Sequence, residues 1–178
     1  MHIELLVEEP SAEAALQVLL PKILPAHVSF AVHPHQGKAD LLGKLRDRLS
    51  GYRAWLPPDW RVVVLLDEDR QDCVLTKRQL EAYARQVGLL TKTASRDSFH
   101  VVNRLAIEEL EAWFVGDVPA LVAAYPKVPP TLGQRARFRD PDRIAGGTWE
   151  ALSACFSRRA TSLTAWPRLK QREPLRGT

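Results

Sequence analysis

The stretch from Arg61 to Asp69 constrains the fold more than any other part of the chain. Five consecutive aliphatic residues, 62–66, run directly into the acidic triplet Asp67, Glu68 and Asp69. A short, uninterrupted apolar run is typical of a strand buried on both faces in a parallel sheet covered by helices. Ligands bind at the carboxyl ends of such strands, and two carboxylates two residues apart suit a hard cation such as Mg²⁺. The stretch alone is equally compatible with an acid-rich turn that leads into an N-capped helix.

Short apolar runs alternate along the chain with segments of helical spacing. We predict strands at residues 3–7, 28–32, 61–66 and 99–102, and helices at residues 11–24, 38–49, 76–87, 104–115, 117–124 and 148–156. In the helix at 104–115, Trp113 and Phe114 are expected on the buried side. This order indicates an α/β fold, a three-layer sandwich with a mainly parallel central sheet flanked by helices. One domain is expected over residues 1–157.

Composition limits the classes of protein to which the chain can belong. Its 178 residues, 46% hydrophobic and 26% charged, are ordinary for a globular domain. No apolar run approaches the roughly 20 residues of a membrane span, and the start does not resemble a signal peptide. Two distant cysteines, Cys73 and Cys155, favour a reduced, cytoplasmic setting. Residues 158–178, with six Lys/Arg and one acid, are expected to be a basic irregular tail that is either solvated or in contact with nucleic acid.

Acidic residues follow three of the predicted strands. Glu8 and Glu9 come after the first strand, and the triplet at 67–69 ends a later one. Glu108 and Glu111, three residues apart, would share one face of the helix that follows the fourth strand. If the strands are parallel neighbours, the first two clusters meet at one edge of the sheet. Like charges held so close would repel unless a cation joined them.

Four separated motifs, in order, resemble a known bacterial family. They are Leu-Val-Glu-Glu-Pro-Ser-Ala-Glu at 6–13, His-Pro-His-Gln-Gly-Lys at 33–38, Ala-Ile-Glu-Glu-Leu-Glu-Ala-Trp-Phe at 106–114 and Asp-Pro-Asp-x-Ile-Ala-Gly-Gly-Thr-Trp-Glu at 140–150. The chain resembles the domain-of-unknown-function 4276 family, which is regarded as Toprim-like. A glutamate after the first strand and Asp-x-Asp after a later strand is the Toprim pattern of topoisomerases, primases and overcoming-lysogenization-defect nucleases.

The resemblance implies phosphodiester chemistry on nucleic acid that depends on Mg²⁺ or Mn²⁺. Glu8, with Glu9 beside it, would then act as the general acid or base. Asp67 and Asp69 would hold the metal, and Glu108 and Glu111 would complete a second metal site. Because related families often stand beside an ATPase, an ATPase partner protein is also implied.

Three further residues are candidates for contact with substrate. Lys38 follows Gly37 at a predicted helix start, where its charge and the free backbone N–H groups could hold a phosphate. His35 lies in the loop before it and is either a ligand or an exposed loop histidine. Arg104 is either a substrate contact or the ion-pair partner of Glu108 one helical turn away. Arg135, Arg137, Arg139 and Arg143, interrupted by Phe138, form a basic loop that either tracks a phosphate backbone or is a solvated face.

Two alternatives to a nuclease remain open at this point. A non-catalytic binding or regulatory subunit could retain the fold. This alternative is favoured by a departure from the Toprim pattern: the Toprim glutamate is usually followed by glycine, whereas Glu8 is followed by Glu9-Pro10. A phosphoacceptor domain or a haloacid-dehalogenase-type phosphatase also uses carboxylates at strand ends. Haloacid-dehalogenase enzymes, however, carry Asp-x-Asp after the first strand.

Overall fold

A sheet of four strands forms the centre of the molecule in a computed structural model that describes residues 1–68, 72–144 and 146–157 (without the side chains of 156 and 157). The strands are β1 (His2–Val7), β2 (Ser29–Pro34), β3 (Trp60–Asp67) and β4 (Val101–Ala106). Their order is β2-β1-β3-β4, and every neighbouring pair is parallel. The predicted α/β fold with a parallel central sheet is therefore confirmed.

Helices connect the strands and cover both faces of the sheet. The long ones are α1 (Pro10–Ile23), α2 (Lys38–Trp55) and α3 (Cys73–Gln86). After β4 come α4 (Ala112–Gly116), α5 (Val118–Ala124) and α6 (Thr148–Ser157), with short 3₁₀ turns at 132–134, 136–138 and 141–143. None of the described helices is both long and apolar enough to cross a membrane.

The three layers follow from the two-residue alternation of side chains along the strands. On β1, Leu5 and Val7 pack with Leu16 and Leu20 of α1, whereas Leu6 faces the opposite side. On that side the buried leucines of α2 and α3 close the core: Leu41, Leu45, Leu49 and Leu80. A third buried cluster joins α4, α5, α6 and the 3₁₀ turns: Val115, Leu121, Leu132, Phe138, Ile144 and Leu152. Phe138 is thus a core residue, and it does not interleave the arginines of the basic loop on the surface.

The helix predicted for residues 104–115 is wrong. Arg104 and Ala106 lie in β4, where Ala106 is paired with Asp67 of β3. The chain then turns through Glu108, whose φ of 60° is left-handed, before the five-residue α4 begins at Ala112. Parallel pairing with β3 outweighs the weak helical spacing of the apolar residues in this stretch.

Two aromatic residues of the same stretch also differ from expectation. Trp113 and Phe114 were expected in the core but are 45% and 38% exposed, since the short α4 buries Ala112 and Val115 instead.

Asp69 and the basic tail at 158–178 lie outside the described residues.

The strand order places a crevice between β1 and β3. From β1 the chain moves to β2 on one side, and it then passes back over β1 to reach β3 on the other side. In open parallel sheets, ligands bind outside the carboxyl ends of the strands at such a reversal. From this point β1 leads into Glu8 and Glu9, and β3 leads into Glu68.

Candidate metal and phosphate site

Glu8 and Asp67 meet at the carboxyl ends of the two central strands. Val7 is paired with Leu65, so that Glu8 follows β1 directly beside the end of β3. Glu8 Oε2 accepts a hydrogen bond from the backbone N–H of Asp67 at 3.3 Å. The first two acidic clusters therefore share one edge of the sheet, as the sequence predicts for parallel neighbours.

The acids that end β3 also hold the turn that follows β4. Asp67 Oδ1 accepts from the backbone N–H of Leu110 at 3.1 Å, and Glu68 Oε2 accepts from that of Glu108 at 3.3 Å. Backbone N–H groups donating to a carboxylate give charge-assisted hydrogen bonds, which are stronger than neutral ones. The strained turn at Glu108 is thereby fixed against the end of β3.

A second group of carboxylates surrounds Glu111. Burial raises the pKa of Glu111, and the charges of Glu109, Glu9 and Glu150 raise it further. Glu109 Oε2 also accepts from the backbone N–H of Trp149 at 3.0 Å, which ties α6 to this edge. We call the carboxylates of this region the acidic edge: Glu8, Glu9, Asp67, Glu68, Glu108, Glu109, Glu111 and Glu150.

The structure groups the predicted metal ligands differently from the sequence pattern. Glu108 and Glu111 lie in a turn and at the start of α4, so they do not share a helix face as predicted. Glu111 instead lies near Glu9, and Glu108 contacts Glu68 through its backbone. Within residues 1–68, 72–144 and 146–157, no three His, Cys, Asp or Glu side chains are arranged to hold a metal ion.

Lys38 lies beside the acidic edge at the first turn of α2. Its Nζ donates to the backbone carbonyl of Glu68 at 3.3 Å, and the N–H of the preceding Gly37 donates to the carbonyl of Glu8 at 3.0 Å. Gly37 has a φ of 93°, and a Cβ there would meet nothing within 4 Å, so the space above this turn is open. The start of α2 is therefore accessible next to Glu8.

His35 occupies an interior position. It is 4% exposed, and its Nδ1 lies 3.0 Å from the carbonyl oxygen of Val7, to which it donates. Its Nε2 is closed off from solvent and has no hydrogen-bond partner. The ring thus holds the loop after β2 against β1, and it presents no nitrogen to the surface.

Arg104 projects from the outer strand β4. It is exposed, and its Nη1 donates to the carbonyl of Asn103 at 2.9 Å. The predicted ion pair between Arg104 and Glu108 is absent from the described residues, because these two residues lie on a strand and in a turn and not one helical turn apart.

A polar network around Glu4 was missed at the level of sequence. Glu4 is 7% exposed in the middle of β1. His33 of β2 donates to its Oε2, and Tyr52 of α2 donates to the same oxygen at 3.0 Å. His2 Nε2 donates to Oε1 at 3.0 Å, and the His2 ring lies 4.1 Å from that of Trp60. The only sequence signal is the recurrence of polar residues at alternate positions of a strand.

The electrostatics of this network favour an ionised carboxylate. Burial acts to raise the pKa of Glu4, but the hydrogen bonds from His33, Tyr52 and His2 and the charge of His33 outweigh it, so the pKa lies below its ordinary value. Burial, the charge of Glu4 and the hydrogen bond to Glu4 raise the pKa of Tyr52. The network therefore joins β1, β2 and α2 through one buried negative charge.

Comparison with known proteins identifies the family. The family described as "Domain of unknown function (DUF4276)" matches residues 7–165, and the chain belongs to it. No curated protein matches the chain, and no solved structure does.

Proposed function

We propose that this member of the DUF4276 family is a Mg²⁺-dependent, Toprim-like nuclease or phosphodiester-processing protein that acts on nucleic acid in the cytoplasm. The observation that carries the proposal is the meeting of Glu8 and Asp67 at the strand-order reversal between β1 and β3. That position is where parallel α/β sheets bind their ligands. The Toprim relation and the ATPase partner are part of the proposal, and both derive from the sequence resemblance.

The donor atoms at this edge have the chemistry that the proposal requires. Glu8 and Asp67 offer carboxylate oxygens, the ligands that Mg²⁺ and Mn²⁺ prefer, and Asp69 follows two residues after Asp67. When bound, the ion would neutralise phosphoryl charge and lower the pKa of a bound water. The residues with the proposed roles are Glu8 as general acid or base, with Glu9 next to it, and Asp67 and Asp69 as metal ligands.

Lys38 has the right place to hold a phosphate at the same edge. Its ammonium group reaches the carbonyl of Glu68, and a Cβ at Gly37 would meet nothing within 4 Å, so the first turn of α2 has open space beside Glu8. Helix N-termini attract anions because their first N–H groups are unpaired and the helix dipole is positive there. A phosphate at this turn would lie between Lys38 and the two central acids.

A non-catalytic binding or regulatory subunit is the second candidate, and one observation favours it. Asp67 Oδ1 and Glu68 Oε2 already accept backbone hydrogen bonds from the turn after β4. Carboxylates used in this way stabilise a loop and have fewer lone pairs left for an ion. In this role the acidic edge would bind a partner without turnover.

Plasmid cleavage tests the proposal. Purified protein should nick supercoiled DNA, or cut a single-stranded RNA, in Mg²⁺ or Mn²⁺ and not in EDTA. Asp67→Asn should lower the rate by about 10²-fold or more, because it removes charge from the atoms nearest the reaction. Asp47→Asn, on the exposed side of α2, removes the same charge elsewhere and should leave the rate unchanged.

Cleavage that survives Asp67→Asn and Asp69→Asn together would overturn the assignment. Calorimetry separates the second candidate from the first. Heat of Mg²⁺ binding that disappears in Asp67→Asn supports the metal site, whereas no binding at millimolar Mg²⁺ with no cleavage points to the non-catalytic subunit.

A further inference from the structure

A cleft of about 380 Å³ opens beside β4, outside the acidic edge. Its lining is formed by Lys92, Thr93, Arg96 and Arg104. We call this cleft the basic groove. Three of its four lining side chains are cations, and all three are exposed.

Backbone hydrogen bonds hold the outer wall of the basic groove against the sheet. The segment 90–93 runs beside the start of β4, where Thr91 forms a parallel bridge with Val101. The N–H of Lys92 donates to the carbonyl of Val101 at 2.9 Å, and the N–H of His100 donates to the carbonyl of Leu90 at 2.8 Å. The cations of the groove therefore project from a defined backbone.

The positive charge of the basic groove is not compensated. Lys92, Arg96 and Arg104 form no ion pair with the acids of the described residues, whereas Lys44 and Lys77 on the helices pair with Asp40 and Glu81. Segment 91–100 contains one acid, Asp97. Unpaired cations that line a cleft are available to an anion at lower cost, because no existing pair must be broken.

Further cations stand next to the groove around Phe99. The guanidinium of Arg61 lies 5.2 Å from the ring centre, and Lys92 Nζ lies 5.4 Å from it. Burial lowers the pKa of the neighbouring His100, and the charges of Arg61 and Arg53 lower it further. The positive field therefore extends beyond the three cations that line the cleft.

The sheet register places the basic groove near Asp67. Arg104 is paired with Leu65, which precedes Asp67 by two residues on the neighbouring strand. Side chains two residues apart on a strand point to the same face, so the side chains of Arg104 and Asp67 project from the same face of the sheet. The strand rise and the strand spacing put their Cα atoms on the order of 8 Å apart.

We propose that the basic groove binds the sugar–phosphate backbone of a nucleic-acid strand and directs it to the acidic edge. This inference rests on the proposed function and identifies how that site would take a polyanion. Arginine presents a fork of N–H donors that matches phosphate, lysine adds a point charge, and the Thr93 hydroxyl can donate to a phosphate oxygen. A polyanion needs such a surface here, because the adjacent carboxylates repel it.

Binding measured without turnover tests the groove directly. The full chain in EDTA is titrated into labelled 20-mers of DNA and of RNA with the same sequence, and anisotropy is followed at several salt concentrations. The triple variant Lys92→Gln, Arg96→Gln and Arg104→Gln should raise the Kd for the DNA or the RNA 20-mer, or for both, about tenfold or more. Its slope of log Kd against log salt should fall by about 2, since each phosphate contact of a single strand contributes about 0.7.

The matched control removes the same charge from the outer faces of α1, α2 and α3. It is Lys22→Gln, Arg46→Gln and Arg78→Gln, three exposed cations outside the groove. Its slope should equal that of the unmodified chain. Equal losses in both triple variants, or none in the groove variant, overturn the proposal. Polyglutamate that competes as well as the unlabelled oligonucleotide also overturns it, because the groove would then recognise any polyanion.

The failure of the groove and the failure of the proposed function give different results. If Mg²⁺-dependent cleavage is present and the groove triple variant leaves its KM unchanged, the groove proposal is wrong and the nuclease stands. If cleavage is absent but oligonucleotide binding depends on the three groove residues, the groove stands and the nuclease is wrong. Far-UV circular dichroism and the melting temperature of each variant confirm that the fold is retained.

Discussion

Glu4 shows how much a single buried carboxylate can connect. Its two oxygens accept from side chains of β1, β2 and α2, so three elements depend on one charge. Charge-assisted hydrogen bonds of this kind stabilise a fold by roughly 1.5–3 kcal/mol each, and a donor left unpaired in the interior costs a similar amount. We therefore regard Glu4 as a structural residue that is separate from the acidic edge.

Glu4→Gln should lower the free energy of unfolding at pH 7 by about 2 kcal/mol, because it removes the charge that these donors share. The folded-state pKa of Glu4 lies below its value in the unfolded chain. Its stabilisation is therefore present above the unfolded pKa and is lost as the pH falls through the folded pKa. Urea denaturation at pH 7, 5 and 3 should show the difference between variant and parent shrinking toward pH 3.

Asp47→Asn, on the exposed side of α2, is the control for this experiment and should change stability by less than about 0.5 kcal/mol. A difference between Glu4→Gln and the parent that is the same at pH 3 and pH 7 would show that the loss arises from packing and not from ionisation.

Part of the candidate site could be predicted residue by residue, because its acids directly follow the ends of strands. Glu8 and Asp67 were found because acids that follow apolar strands must lie at the carboxyl edge of a parallel sheet. Glu150 was not found, since its approach to Glu111 depends on how α6 folds back after the 3₁₀ turns. Such a contact between distant segments leaves no local pattern in the sequence.

At the level of elements, two glycines have opposite effects on the stability of the helices to which they belong. Gly147 precedes α6 with a φ of 89°, and a Cβ there would collide with the carboxylate of Glu150. Gly51 lies inside α2, where a Cβ would meet nothing within 4 Å. The first glycine is required by its backbone, whereas the second only weakens a helix.

Gly147→Ala should lower the free energy of unfolding by about 1–3 kcal/mol, because the left-handed backbone opposes a side chain, whereas the end of the Glu150 side chain can move aside. Gly51→Ala should raise it by about 1 kcal/mol through helix propensity. For a chain of this size, melting should shift by roughly 2–4 °C per kcal/mol. Two shifts of the same sign in differential scanning calorimetry would contradict this view of the start of α6.

Element type was predictable where periodicity and tertiary contacts agree. The helices α1 and α3 and the strands β1 and β3 occur within a few residues of their predicted bounds, whereas α2 continues to Trp55, beyond its predicted end at residue 49. The stretch 104–115 failed, because its apolar residues fit a helix equally well when the pairing of β4 with β3 is not known. Pairing between strands is a nonlocal contact, and a single sequence does not contain it.

On the scale of the whole molecule, the charge is divided between two neighbouring surfaces. The acidic edge collects eight carboxylates from the ends of β1, β3 and β4 and from α6, while the basic groove lies on the outer side of β4. Carboxylates in such a group repel one another, and after burial the charges of Glu109, Glu9 and Glu150 also raise the pKa of Glu111. A divalent cation bound to the folded protein should therefore stabilise it.

If the acidic edge binds Mg²⁺, saturation at 100 times Kd should add about 2.7 kcal/mol of stability by mass action. The melting temperature should then rise by about 5–10 °C. NaCl at equal ionic strength measures screening alone and should give a smaller rise. Asp67→Asn should reduce the Mg²⁺ effect and Asp47→Asn should not, so an equal rise in NaCl or in Asp67→Asn would exclude a specific site there.

The strand order also decides when during synthesis the crevice can exist. β1 ends at Val7, but its neighbour β3 begins only at Trp60, and the turn that Asp67 fixes lies at 107–111. During synthesis β1 and β2 can therefore pair early, whereas Asp67, the partner of Glu8, is translated much later. The edge formed by Glu8 and Asp67 is therefore completed only after most of the domain has been translated.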